Sequence, residues 1–192
     1  QVADQELISP ERLCERLAKG EIVIPKNKNR DFAARGIGRG LRTKVNANIG
    51  TSPSHYDLDE ELAKLDAAVN AGADAIMDLS TGGDLAKTLE IVLKHSPVMV
   101  GTVPIYRVVS RMLSEKKGVS QMSADLLFEE IEFQAKSGVD FITVHCGVTK
   151  NTLEMLGGCN RLMGMVSRGG SFTAEWIKTT GKERSEERRV GK

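Results

Sequence analysis

The 192-residue chain is 40% hydrophobic and 28% charged, which is the composition of a globular domain with enough apolar mass for one core. Its formal net charge is only +1, which argues against nucleic acid or an anionic membrane as partner and leaves a small molecule as the expectation. Cys14, Cys146 and Cys159 are odd in number and have no CxxC spacing, which argues against a disulfide scaffold or a metal site built from these thiols alone and fits a reducing cytoplasm.

Residues 1–43 are basic and broken by glycine. Gly36-Ile37-Gly38-Arg39-Gly40 precedes a strand instead of following one, so the dinucleotide fingerprint is not met. The segment reads as a flexible opening or lid outside the core. Residues 1–16 mix charge with isolated apolar side chains, and no stretch approaches the roughly 20 apolar residues of a membrane span, so neither secretion nor anchoring is expected.

Residues 44–181 alternate regularly. Val45–Gly50 predicts a first strand, in which Asn46 and Asn48 share one face and offer amides to a ligand, or to strand-end turn capping. Asp57 then caps a helix, with Glu60 three residues on, Leu58, Leu62, Leu65 and Val69 on one side, and Gly72 as its stop. Ala73–Leu79 is the next strand. It runs into Met77-Asp78-Leu79-Ser80-Thr81-Gly82-Gly83-Asp84, whose hydroxyls and glycines at a helix start suit an anion. Asp84 reads equally as a plain N-cap, and Met77 taken alone reads as core.

Leu85, Leu89 and Val92 form a helical stripe that stops before Pro97, and Val98–Val103 is a third strand. Pro104 and Tyr106 stand at its mouth, where the tyrosine offers a face and a hydroxyl, or serves only structure. A helix over Ile105–Leu113, a polar loop over Glu115–Gln121 and a helix from Ser123 to Gly138 come next. Phe141–Cys146 is expected as the fourth strand. His145 and Cys146, adjacent on it, would face opposite ways and could not chelate one ion, so hydrogen bonding or proton transfer by His145 is expected instead. His55 and His95 are assigned to solvent or capping.

Met163–Val166 is expected as a fifth strand. It leads into Ser167-Arg168-Gly169-Gly170-Ser171, where glycines expose N–H groups and Arg168 supplies a forked donor for phosphate; a glycine-rich turn with a solvated arginine is the plainer alternative. A helix over Thr173–Thr180 follows. Residues 182–192 read as the translation of a sequencing adapter and are set aside as non-native. They supply five basic and three acidic residues, so the slight basicity of the chain is theirs.

Ala71-Gly72-Ala73-Asp74-Ala75-Ile76 resembles Ser137-Gly138-Val139-Asp140-Phe141-Ile142, each a helix stop entering an apolar strand. The pattern is an α/β fold of about five βα units, its apolar strands needing cover on both faces. A doubly wound sheet and part of a TIM-type (βα)8 barrel both fit. Unusual residues at the end of every strand favour the barrel, which places its chemistry on that rim.

In this order, Gly40-Leu41-Arg42-Thr43-Lys44-Val45-Asn46-Ala47-Asn48-Ile49-Gly50, Met77-Asp78-Leu79-Ser80-Thr81-Gly82, Gly101-Thr102-Val103-Pro104-Ile105-Tyr106 and Val166-Ser167-Arg168-Gly169-Gly170-Ser171 resemble one family. It is the phosphomethylpyrimidine synthases of thiamine biosynthesis, non-classical radical S-adenosylmethionine lyases, and the likeness runs from about Ile22 to Trp176. The resemblance implies a cytoplasmic, homodimeric enzyme with an eight-unit barrel that rearranges aminoimidazole ribotide. Its substrate contacts would fall on Asn48, Met77, Tyr106, His145, Ser167, Arg168 and Gly169; no catalytic residue and no metal ligand is assigned here.

The resemblance also implies a [4Fe–4S] cluster on a C-terminal CxxCxxxxC segment, S-adenosylmethionine, and a divalent metal such as zinc on histidines of later barrel units. This sequence contains no such cysteine segment, so the chain reads as an N-terminal piece, inactive alone. Asp84-Leu85-Ala86-Lys87-Thr88 stands where the family usually has a histidine-rich helix, and the interval from Tyr106 to His145 is slightly long. A sister enzyme, 5-hydroxybenzimidazole synthase, therefore stays open. So do a cluster-independent phosphate-binding lyase or isomerase, with His145 as acid or base, and a non-enzymatic ribotide binder.

Overall fold

The first 43 residues, expected outside the core, are folded. In the computed structural model, which describes residues 1–160 and 162–182, they form helices Val2–Gln5 (α1) and Pro10–Ala18 (α2) and strands Ile22–Val23 (β1) and Ile37–Gly38 (β2). Ser9 caps α2 by accepting from the Arg12 N–H at 3.3 Å, and Pro10 opens its first turn. β1 and β2 pair antiparallel. Val2, Ala3, Leu13, Ile22 and Ala34 bury one another. These apolar residues follow no single period along the chain, so pattern reading passes over them.

The strands that follow are Asn46–Ile49 (β3), Ala75–Asp78 (β4), Met99–Thr102 (β5) and Phe141–Ile142 (β6). They pair in parallel, in the order β3-β4-β5-β6. Leu58–Asn70 (α3) and Leu85–His95 (α4) supply the crossovers. Asp57 caps α3 by accepting from the Asp59 and Glu60 N–H groups at 3.0 and 3.1 Å, and Asp84 caps α4 from the Lys87 N–H at 3.0 Å. The plain N-cap reading of Asp84 is the one observed.

Ile49, Leu65, Ile76, Leu89, Val92 and Val100 form the main core of this sheet. Each such side chain contributes roughly 1.5–3 kcal/mol on burial. A smaller cluster joins Phe32, Ala75, Met99 and Phe141.

The internal repeat has a physical basis. Gly72 and Gly138 take positive φ, +93° and +111°, which ends each helix. Two residues on, Asp74 and Asp140 clasp the start of the neighbouring strand. The Asp74 N–H donates to Val45 O at 2.8 Å while its carboxylate accepts from the Val45 N–H at 2.9 Å. Asp140 repeats this on Val100, at 2.9 and 2.8 Å. Arg42 pairs with Asp74 and Arg30 with Asp140. Lys44 pairs with Glu6 at 2.5 Å, both side chains buried. The basic opening segment is thus a strap across the N-terminal ends of the strands, where a lid would have to reach their C-terminal ends.

These elements belong to one unit, Gln1–Thr102 with Ala135–Ile142; the other comprises Val103–Gln134 and the chain from Thr143 onward. The second unit contains Pro104–Ser114 (α5), a 3-10 turn over Val119–Gln121, most of Ala124–Ser137 (α6), Lys150–Gly157 (α7) and Arg168–Thr180 (α8). α8 packs on α5, α7 and the 3-10 turn, and the Trp176 indole N–H donates to Met122 O at 2.7 Å.

Two expected strands need correction. The fourth ends at Ile142, so His145 and Cys146 lie in a loop and a turn. The fifth does not form: Leu162 is 103% exposed, with Met163 and Val166 about two-thirds exposed. An apolar run becomes a buried strand only with pairing and cover, and Gly164 interrupts this one. Among the described residues the sheet is four-stranded and open. The 182–192 reading falls, past Lys182, outside the described residues.

Candidate functional site

The expected site residues occur in two groups. On the sheet, parallel register aligns Asn48 with Met77, Met77 with Gly101, and Gly101 with Phe141. Equal register and two-residue alternation put this row on one face. Asn48 is exposed and Met77 buried within it. Gly101 leaves room for the Phe141 ring, since a Cβ there would stand 2.2 Å from a ring carbon.

The loops beyond β3 and β4 are stitched together by hydrogen bonds. Ser80 is buried; its hydroxyl accepts from the Thr51 N–H at 3.1 Å, and the Thr51 hydroxyl donates to Gly82 O at 2.7 Å. Glu61, buried on α3, accepts from the Gly50 N–H at 2.8 Å and fixes the end of β3 two residues past Asn48.

The second group converges on the start of α8. Ser167 is its N-cap, with its hydroxyl accepting from the Gly170 N–H at 3.1 Å. Arg168, expected in a turn, is the first helical residue, and Gly169 and Gly170 are buried in the first turn. The two glycines read as a turn because glycine is a poor helix former, but a serine cap and the helix packing outweigh that preference. Arg168 is exposed, with its guanidinium carbon 5.1 Å from the Tyr106 ring centroid.

Tyr106 sits in the first turn of α5, edge-on to Phe172 with centroids 6.5 Å apart. His145 lies against Gly169 so closely that a Cβ there would meet its ring. The arrangement offers a forked cation, a helix start that favours negative charge, an aromatic face and an imidazole. Groups of these kinds can hydrogen-bond and balance the charge of an oxyanion.

Two participants escape sequence reasoning. Phe172 stands four residues after Arg168 and so shares its side of a helix, a signal hidden while α8 was expected to start at Thr173. Next to Tyr106, Arg107 Nε lies 2.7 Å from Glu130 Oε1, and Gln134 donates to the same oxygen at 2.7 Å. This buried network joins α5 to α6.

His55 and His95 are exposed, as expected, and each meets a carboxylate, Glu60 at 2.5 Å and Asp66 at 2.8 Å. The Glu60 hydrogen bond and charge raise the His55 pKa above its ordinary 6.5. Glu60 therefore faces His55, leaving Asp57 to cap α3 alone. The three cysteines are exposed and unbridged. Among the described residues no group of three or more His, Cys, Asp or Glu could hold a metal ion, and no helix is long and apolar enough to cross a membrane.

The model of the radical SAM ThiC family matches residues 1–186. A phosphomethylpyrimidine synthase of Thermodesulfovibrio yellowstonii is 53% identical over 177 residues, which is 92% of this chain and 42% of that protein. Proteins of the same name from Thermoanaerobacter pseudethanolicus and Methanocaldococcus jannaschii are each 51% identical, over 95% and 92% of this chain. The chain spans about two-fifths of the length of these curated relatives.

Proposed function

Because the chain belongs to the radical SAM ThiC family, we propose that it forms part of a phosphomethylpyrimidine synthase, a lyase that converts aminoimidazole ribotide into the pyrimidine precursor of thiamine. The observation that carries this reading is identity of about half, sustained over more than nine-tenths of the chain, to relatives bearing that name. The same names favour the thiamine pyrimidine over 5-hydroxybenzimidazole as product. A cluster-independent lyase or a mere binder finds no support in them.

In this reading Arg168 and the first turn of α8 receive the ribotide phosphate, a forked guanidinium and a helix start both matching an oxyanion. Tyr106 lends its ring and hydroxyl, Ser167 holds the turn, and His145 supplies an imidazole for hydrogen bonding or proton transfer. Asn48 and Met77 are proposed as further ribotide contacts on the family resemblance.

The sheet is proposed as part of a (βα)8 barrel. Its support is the strand order, which follows the chain without the reversal a doubly wound sheet requires.

Family membership implies S-adenosylmethionine and a [4Fe–4S] cluster for the whole protein. The residues here do not fit the cluster: three separate exposed cysteines make no ligand set. Among the described residues none form a group that fits a divalent metal such as zinc either, so neither group is assigned to them. A homodimer in the cytoplasm completes the proposal.

Complementation tests it. The intact gene should restore growth without added thiamine to a strain lacking this step, and restoration by an Arg168→Ala variant at the same expression level would count against the assigned site.

A further inference from the structure

The geometry points to Gly169 as the residue that positions His145, a role distinct from any ligand contact of its own and one that rests on the ribotide reading. A Cβ built on Gly169 would stand 2.1 Å from His145 Cε1, 2.5 Å from Nε2 and 2.8 Å from Nδ1. Three ring atoms closer than 3.0 Å mean that the imidazole occupies the volume a side chain would need.

The helix backbone at Gly169 is the fixed partner, so the His145 ring, a rigid plane carried on a loop, relieves the clash by swinging away as a whole. Gly169 is buried in the first turn of α8, held on one side by the Ser167 cap on the Gly170 N–H and on the other by the Thr173 hydroxyl, which donates to Gly169 O at 2.9 Å.

Backbone conformation does not explain this glycine. It lies in a right-handed helix, where alanine would ordinarily be the better residue. The missing side chain is explained by the ring seated in its place. The seat sits one residue from Arg168, whose guanidinium lies over Tyr106, so it fixes His145 relative to the cation expected to hold the phosphate.

The test compares four forms of the intact protein: unaltered, Gly169→Ala, His145→Ala and the double variant. Ribotide affinity is read by titration calorimetry, and stability by melting temperature. Gly169→Ala should weaken ribotide binding on the order of tenfold, the effect of one displaced hydrogen-bonding group, and should lower the melting temperature. With His145→Ala already present, the same change should alter affinity by less than about twofold and raise the melting temperature, since alanine is then simply the better helix residue.

Equal effects in both backgrounds would overturn the seat. Inverted melting effects with unchanged affinity in Gly169→Ala would overturn its positioning role. If Gly169→Ala fails to fold, rescue by His145→Ala is the same inversion at its extreme, and absence of rescue counts against the seat. Ribotide failing to bind the unaltered protein would instead refute the functional reading, while the melting comparison still judges the seat.

Discussion

Arg168 stands where a helix begins and an aromatic ring lies within reach, and those two neighbours suit its charge to an oxyanion. A charge-assisted, forked contact of this kind is worth roughly 1.5–3 kcal/mol. Arg168→Ala in the intact protein should therefore weaken ribotide binding by that amount, measured calorimetrically. Arg168→Lys should recover only part of it, because a point charge cannot fork; unchanged affinity in the alanine variant would contradict the assignment. Tyr106, His145 and the Ser167–Gly169 stretch were legible as unusual polar or aromatic residues among apolar elements. Their contacts were not. Phe172 and the His145 seat depend on where α8 starts, and that start was obscured by two glycines that sequence reasoning reads as a turn.

At the scale of elements, the two aspartate clasps hold the beginnings of the strands. The Asp140 carboxylate is buried, accepts from the Asn27 and Val100 N–H groups at 2.7 and 2.8 Å, and pairs with the buried Arg30 guanidinium. Asp140→Ala should destabilise the fold by roughly 3–5 kcal/mol, leaving Arg30 buried without its counter-ion; urea unfolding measures this. Burial works to raise the pKa of Asp74, but Arg42 and the Val45 N–H outweigh it and hold the carboxyl below its ordinary 3.8. A depressed carboxyl contributes stability that is complete above its unfolded value and disappears as pH falls through the folded one. The stability difference between the unaltered protein and Asp74→Asn should therefore stay level above pH 3.8 and shrink below it. The internal repeat was visible in the sequence as two matching helix stops. The clasp was not, because Arg30 and Asp140 are 110 positions apart. Caps and periodicity gave α3 and α4 nearly residue by residue, whereas the fifth strand failed because an apolar run does not reveal whether anything pairs with it.

For the molecule as a whole, the βα alternation made an α/β fold with parallel strands readable, and the observed β3-β4-β5-β6 order agrees with that reading. The folded opening segment was not readable, since its core is assembled from residues with no common period. The chain belongs to the radical SAM ThiC family and spans about two-fifths of the length of its curated relatives, and the start of α8 is the proposed seat of the substrate phosphate. Among the described residues no group of three or more metal-ligating side chains could hold a metal ion, and the three cysteines stand apart. The most direct measurement is anaerobic turnover by the intact protein, reconstituted with iron and sulfide and supplied with reductant, S-adenosylmethionine and aminoimidazole ribotide, with the products identified by mass spectrometry. Formation of the phosphorylated thiamine pyrimidine, dependent on S-adenosylmethionine, is the expected result. Formation of 5-hydroxybenzimidazole, or ribotide left unconsumed while S-adenosylmethionine is cleaved, would contradict it.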